Sequence, residues 1–282
     1  MKSILKLLAL ISISFAMTCK HAPALRVLTY NIRLDTPADG VNQWPKRKEK
    51  VATLLLEQNP DVFGVQEALH NQMLDLEALL PKYAWCGAGR DDGKTAGEFS
   101  AIFYKKDLFT LVDSGTFWLS ETPAVPGSKS WDAAITRVCS WAKLSVNGTG
   151  RQFFVFNTHF DHIGQTARLR SMELIAQKTQ EIAGSSPFVL MGDFNCEPDS
   201  APYAVAADSS KWQITDTWAA AKLPSPACTF TGFKVAGAEC RRIDYVFVSP
   251  FFKANSCQII SQNDGTYYPS DHLPVVVDLA PK

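Results

Sequence analysis

The sequence predicts an α+β protein: two packed sheets, mixed and largely antiparallel, with helices on both outer faces. Three observations predict it. Segments of helical and strand period alternate at the start of the chain and again past its middle. The stretch between them, residues 83–146, holds only short runs rich in aromatic and β-branched residues. Finally, 282 residues with 46% hydrophobic and 20% charged side chains suffice to bury a large core in one layered domain. No repeat, low-complexity tract or long Pro/Gly linker divides residues 25–282.

The elements follow in order. Residues 26–32 form a strand with Val27, Leu28 and Ile32 for the core and Asn31 at its end. Residues 44–58 have helical spacing (Val51, Leu54, Leu55, Gln58), and Pro60 follows the end. A short buried strand, 62–65, delivers Gln66 and Glu67. A second helix, 71–80, turns Met73, Leu76, Leu79 and Leu80 inward and is stopped by Pro81. Strands are expected at 83–88, 100–104, 108–118 and 137–146, with polar loops at 87–97 and 120–132. Strand 152–156 delivers Asn157, Thr158 and His159. Helix 165–182 carries Leu169, Met172, Ile175, Ala176 and Ile182 on one stripe. Strand 188–191 runs into Gly192, Asp193 and Asn195. Residues 200–237 are less regular. The last strands are 243–248, with Asp244 near its start, 257–260 and 275–279.

The N-terminus reads differently. Lys2 and Lys6 flank the start of an apolar run over residues 7–17, too short for a permanent membrane span and typical of an export leader. Cys19 follows it as in a bacterial lipobox, although Thr18 is larger than the residue usual before that Cys. Residues 1–24 are therefore expected to be a leader and short linker. The remainder is expected at the periplasmic or outer surface, attached to a membrane only through a lipid on Cys19. Zero net charge indicates no bulk attraction to nucleic acid or anionic membrane. The other six cysteines include no Cys-x-x-Cys pair, which argues against a zinc knuckle or redox motif. Cys228 and Cys240 are the best candidates for a disulfide, and Cys139 for a buried free thiol. A monomer is expected.

Polar groups gather where apolar runs end: Asn31, Glu67, Asn157 with His159, Asp193 with Asn195, Asp244, and Asp271 with His272. Carboxylates placed there need partners, and a divalent cation is one. Carboxylates and carboxamides outnumber imidazoles and no Cys takes part. This donor chemistry suits Mg2+, or Mn2+, better than zinc. Glu67 is the best single ligand, supported by Asn31 and Asp271.

Six motifs, Leu28-Thr29-Tyr30-Asn31, Gln66-Glu67, Asn157-Thr158-His159, Gly192-Asp193-Phe194-Asn195, Arg242-Ile243-Asp244-Tyr245 and Ser270-Asp271-His272-Leu273-Pro274, stand in that order. Together they resemble the endonuclease/exonuclease/phosphatase superfamily with its deoxyribonuclease I-like fold. The resemblance implies a four-layer αββα sandwich and a metal-dependent phosphoesterase with its cleft at one edge of the sheets. It makes Asn31, Glu67 and Asp271 metal-site residues. Asp193 and Asn195 become the pair that orients water and holds phosphate, and His159 and His272 the two site histidines, with Asp244 behind His272. An Asp beside an imidazole fixes its tautomer and favours its charged form. Whether Asp193 or His272 takes the water's proton stays open. Arg137 and Asn157 are further candidates for the phosphate.

Other residues have blander readings. Glu98 reads as an exposed edge charge, Tyr104 as core, Asp161 as a helix cap and Trp118 as cover for a sheet. Trp131 and Phe233 could stack on a base or sugar, and His162 could extend the site. Two rivals are weighed. The run from Asn157 to His162 is one His short of the zinc motif of metallo-β-lactamases, and the other clusters have no place in that scheme. A catalytically silent exported binding protein would not need every position of the site filled. The expected partner is a small or lipid-linked phosphate ester. A secreted nuclease is the alternative, disfavoured by the neutral charge because duplex binding leans on many Lys and Arg contacts.

Overall fold

The alternation of side chains along each strand builds the molecule. In the computed structural model, which describes residues 22–282 except 211, 222 and 224–226, strand β1 (Leu25–Asn31) sends Leu25 and Val27 to one core and Leu28 and Tyr30 to another. Strand β2 (Val62–Ala68) divides in the same way: Val62 points inward, and Phe63 and Val65 outward. A period of two on a sheet covered on both faces gives strands that are apolar throughout.

Helix α1 (Lys48–Gln58) and helix α2 (His70–Leu79) cover the outer face of this first sheet. The sheet is completed by β3 (Tyr83–Cys86), β4 (Phe99–Lys105), β11 (Phe252–Ile259) and β12 (Val275–Pro281), in the order β11-β12-β1-β2-β4-β3. The second sheet comprises β5 (Phe109–Trp118), β6 (Val138–Val146), β7 (Gln152–His159), β8 (Phe188–Asp193), β10 (Asp244–Val248) and the short β9 (Thr215–Asp216). Its order is β5-β6-β7-β8-β10-β9. Helices α3 (Gln165–Ala183) and α4 (Ala201–Ala207) lie on its outer side, around Phe154, Phe156, Met172, Ile175, Leu190 and Phe247. A third apolar cluster, including Val27, Ile102, Leu144, Val155, Met191, Val246 and Val277, fills the space between the sheets. The architecture is the expected four-layer sandwich.

Only β1–β2 and β7–β8 pair in parallel; the other ladders are antiparallel. The parallel pairs occupy the middle of their sheets and face each other, β1 against β8 and β2 against β7. Their carboxyl ends therefore meet at one rim.

Several boundaries differ from expectation. The first helix starts at Lys48, not residue 44, because Pro45 lies in a separate 3₁₀ turn, Trp44–Lys46. Strands β7 and β8 run on through His159 and Asp193, so the polar residues are the ends of the strands and not loops after them. Arg137 falls just before β6. The irregular stretch contains α4, β9 and helix α5 (Thr217–Ala220). Asp132, from the loop before β6, accepts hydrogen bonds from the Thr166 and Ala167 amides and caps α3 across a gap of 34 residues in sequence. The expected disulfide is absent: Cys228 and Cys240 are free thiols, and the Cys228 Sγ turns to the Phe230 carbonyl at 3.4 Å. Cys139 is a buried free thiol, as expected. Residues 1–21, with most of the expected leader and Cys19, lie outside the described residues. No helix among the described residues is long and apolar enough to cross a membrane.

Candidate active site

The inward-facing parity of β1, β7, β8 and β10 continues into their polar ends. Asn31 follows Leu25 and Val27 on the inner face, His159 follows Phe153 and Val155, Asp193 follows Val189 and Met191, and Asp244 precedes Val246 and Val248. Register then aligns them: His159 pairs with Asp193, and Asp193 with Asp244. Glu67 would point outward by parity. A bulge between Val65 and Ala68 and a left-handed backbone at Glu67 (φ 64°) turn its carboxylate to the rim. Gly192, at φ 148°, lies where a Cβ would collide with the Thr158 carbonyl, so β7 and β8 stay close only with glycine there.

The side chains converge. Asn31 Nδ2 donates to Asp193 Oδ2 at 2.9 Å and to Glu67 Oε1 at 3.1 Å, joining the two sheets. Asp193 Oδ2 also lies 3.3 Å from His159 Nε2 and 3.6 Å from His272 Nε2. Its Oδ1 accepts the Asn195 backbone amide at 2.9 Å. His272 Nδ1 meets Asp244 Oδ2 at 2.9 Å, and the Phe230 ring packs against the imidazole in a T-shaped pair, centroids 5.1 Å apart. Thr229 Oγ1 accepts from the Ile243 and Asp244 amides and fixes the start of β10.

Arg137 Nη1 lies 2.7 Å from His159 Nδ1 and 3.2 Å from Glu98 Oε2. A guanidinium only donates. His159 Nδ1 is therefore the acceptor, and Nε2 carries the proton, which turns to Asp193 Oδ2 at 3.3 Å; the Asn195 Nδ2 that lies 3.1 Å from Nε2 donates to the Phe160 carbonyl instead. Burial and the Arg137 charge hold the His159 ring well below its usual pKa, so it is a neutral donor. Burial alone would lower His272 as well, but Asp244 and Asp193 raise it to about 10, and it is an imidazolium. Burial and the neighbouring Asp244 push Asp193 up to about 7, the range for a base working near neutrality.

Glu98 is not the exposed edge charge that the sequence suggested. Its side chain is only 12% exposed and forms ion pairs with Arg90 and Arg137. Sequence reasoning missed Arg90 altogether; no local pattern marks it, because a polar loop brings it to the site. Asp161 does more than cap a helix: it accepts four backbone amides, from Ala134, Ile135, Ile163 and Gly164, and so pins the loop that carries Arg137. Trp118 and Tyr104 are buried, and Phe233 packs on the Arg47 guanidinium. His162 is exposed and lines the cleft.

Asn157 is a correction. It faces the gap between the sheets and is fully buried. Its Nδ2 donates to the Val65 and Ala101 carbonyls and its Oδ1 accepts from Gln66, so no polar atom is left for a phosphate. The inner position three residues beyond Phe154 is covered by Gly64, where a Cβ would come within 2.6 Å of the Asn157 amide. Asn157→Ala is expected to cost about 2–4 kcal/mol, read by urea unfolding, because three buried polar groups lose their partner. A phosphate role would instead raise KM at unchanged stability.

Two groups of side chains could hold a metal. Ligand atoms of Asp193, Asp244 and His272 lie within 4.8 Å of one another. Asp244 and Asp193, however, favour the charged form of His272, and that form has no lone pair at Nε2. Glu67 and Asp271, with the Asn31 carboxamide, offer oxygen donors alone. Asp271 is raised by burial, with the Glu67 charge adding to the shift, as for two carboxylates awaiting a cation. For Glu67 burial is outweighed by His272, Asn31 and Arg33, and the group stays ionised. The oxygen trio fits a hard divalent ion.

Glu67, Asp193, Asp271 and His272 line a cleft of about 350 Å³ together with Arg33, His159, Asn195, Phe230 and Arg241. The model of the Endonuclease/Exonuclease/phosphatase family matches residues 28–272. An endonuclease/exonuclease/phosphatase structure from Bacteroides vulgatus is 38% identical, with a TM-score of 0.85, over 93% of this chain and 100% of that one. The mannosyl-6-phosphatase of Bacteroides thetaiotaomicron is also 38% identical, with a TM-score of 0.83, over 91% and 99%. Nocturnin of Drosophila melanogaster is 27% identical over 83% of this chain, which spans only 42% of that protein's length. A phosphoesterase- or nuclease-type hydrolase is what the family and these neighbours support. The chain belongs to the endonuclease/exonuclease/phosphatase family.

Proposed function

We propose that the protein hydrolyses a phosphate monoester of a small hydroxylated molecule, a sugar phosphate being the leading candidate, with help from Mg2+ or Mn2+. One observation carries this reading: among the described residues the cleft is lined by only three arginines, each at least partly engaged, by no lysine, and by one stacking surface. Arg33 is held by Asp39, and Arg137 by His159 and Glu98. Phe230 is the one ring of a Phe, Tyr or Trp lining the cleft among the described residues, and the Arg241 guanidinium covers it at 4.9 Å. A nucleic acid strand calls for rows of cations and open rings. The 38% identity to the mannosyl-6-phosphatase supports the sugar-phosphate class.

In this proposal Asp193 takes a proton from water, and Asn195 helps to orient that water. His159 Nε2–H and the His272 imidazolium donate to phosphoryl oxygens as charge builds on them. Asp244 keeps His272 charged. Arg137 lines the cleft but acts chiefly through His159. Asn31, Glu67 and Asp271 would hold the ion, which when bound neutralises phosphoryl charge. Export, and a lipid on Cys19, remain part of the proposal on the strength of Lys2, Lys6 and the apolar run after them.

A diesterase or nuclease is the second reading. A diester has an arm on each side of phosphorus, and a recess of about 640 Å³ shares Asn195, Arg241 and Ile243 with the cleft. A panel of hexose 6-phosphates, inositol phosphates, nucleotides, bis(p-nitrophenyl) phosphate, sphingomyelin, RNA and plasmid DNA, each with and without Mg2+, tests both. Hexose phosphates are expected to show the highest kcat/KM. Turnover of diesters alone would reverse the order, and background rates on every substrate would return the chain to a binding role.

A further inference from the structure

We infer that Arg33 contacts the departing oxygen of the substrate through its Nη1, on the side of the cleft opposite Asp193; this rests on the proposed hydrolysis. The backbone at Arg33 is left-handed, φ 60°, which is unfavourable for a long side chain. The surroundings hold it there. Its N–H donates to Asn31 Oδ1 at 3.0 Å. Its carbonyl accepts from Arg47 Nη2 and Gln72 Nε2, each at 2.9 Å. Arg47 is itself buried and ties the Ile32, Asn42 and Pro269 carbonyls to the same turn. A strained residue so firmly fixed is a candidate for function.

The side chain is aimed with equal care. Nε and Nη2 each bond one oxygen of Asp39 at 2.9 Å. That fork fixes the guanidinium plane. Nη1 makes no hydrogen bond among the described residues; it lies 3.8 Å from Glu67 Oε2, beyond bonding range, and the side chain is 29% exposed. The Asp39 pair alone, partly open to water, is worth little to stability. Nε also stands 3.9 Å from Asp271 Oδ2, so the arrangement leaves one edge of the guanidinium without a hydrogen bond on the wall of the cleft, beside the Glu67 and Asp271 carboxylates.

Position assigns the task. A chain of contacts links Asp193 to Arg33: Asn31 Nδ2 lies 2.9 Å from Asp193 and 3.1 Å from Glu67, whose other oxygen is 3.8 Å from Arg33 Nη1. In an in-line displacement the leaving oxygen stands opposite the attacking water. Water activated at Asp193 places that oxygen toward Arg33. Its oxygen forms the new bond to phosphorus and its proton goes to Asp193. The ester P–O bond breaks, and its electron pair goes to the departing oxygen. Arg33 stabilises that charge by hydrogen bonding without giving up a proton, and solvent water then protonates the alcohol. Asp193 returns its proton to solvent.

Such a residue matters most when the leaving group is poor. The test compares a hexose 6-phosphate with p-nitrophenyl phosphate, whose phenolate departs easily. Arg33→Ala is expected to lose about 100-fold or more in kcat/KM on the sugar phosphate, the usual effect of removing a donor to a developing charge, and less than about 5-fold on the aryl ester. Asp39→Asn, which keeps Arg33 but frees its plane, is expected to shift the ratio in the same direction by a smaller factor. It carries the test if the alanine variant does not fold. Equal losses on both esters, or no loss, would overturn the inference. So would a shift in Mg2+ affinity, read by calorimetry, that accounts for the whole loss. If the wild-type protein hydrolyses neither ester, the proposed function fails instead.

Discussion

Asp193→Asn is expected to lower kcat on the best phosphate ester by about 10²–10⁴-fold, the range for removing a general base, and to raise the melting temperature of the metal-free protein. Asparagine keeps the shape but offers one acceptor oxygen in place of two, so it can keep the bond from the Asn195 amide and gives up the one from Asn31. It cannot take a proton. The gain in stability follows from the sign of the pKa shift. Burial and Asp244 raise the Asp193 carboxyl to about 7 in the folded chain. Above its ordinary value, where the unfolded chain ionises, the folded chain therefore has to accommodate an unwelcome charge. That cost grows as pH rises from about 4 to about 7, and a neutral isostere removes it. Kinetics and thermal melts at pH 5 and pH 8 check both halves. Full activity in the variant would end the assignment of Asp193 as base. A lower melting temperature at pH 8 would show that the contacts of the carboxylate with Asn31 and the His272 imidazolium outweigh the relief of its buried charge.

Removal of divalent metal is the second large effect. A chelator is expected to reduce turnover to background, and Mg2+ or Mn2+ to restore it. Glu67→Gln should then lower activity at 1 mM Mg2+ by about 100-fold or more, since a metal that neutralises phosphoryl charge supplies several kcal/mol. Glutamine can still accept from Asn31 and fits the same left-handed backbone. Calorimetric titration separates the causes: weaker Mg2+ binding places Glu67 on the ion, whereas unchanged binding with lost activity moves the ion elsewhere, toward Asp193, Asp244 and His272. Zinc bound one to one, with activity indifferent to magnesium, would contradict the oxygen-only donor set.

Much of the site was legible because polar side chains at the ends of apolar runs are costly unless they share a partner. Asn31, Glu67, His159, Asp193, Asp244, Asp271 and His272 were all marked in that way, and the structure gathers them around one cleft. The same signal misled at Asn157. It also ends an apolar run, but one turn of the pleat earlier than His159, and there the inner face is still closed by Gly64. Composition could not separate the two positions. Glu98 failed in the opposite direction: a carboxylate beside a loop looks solvated until the partners that bury it, Arg90 and Arg137, are known.

The sequence by itself determined the layered α+β plan, the helix faces, the strand-end polar residues and the preference for oxygen donors over sulfur. Each follows from local period or from residue chemistry, which neighbours in the chain already express. Tertiary structure alone decided which inward positions reach the rim, that a bulge re-aims Glu67, that Arg137 sets the tautomer of His159, and that Arg33 presents a free edge to the cleft. Those outcomes depend on contacts between residues far apart in the chain, such as Arg33 with Gln72 and Asn31 with Asp193. The free energy of such a contact depends on distance and burial in the folded molecule, and neither is written in the spacing of residues along the chain.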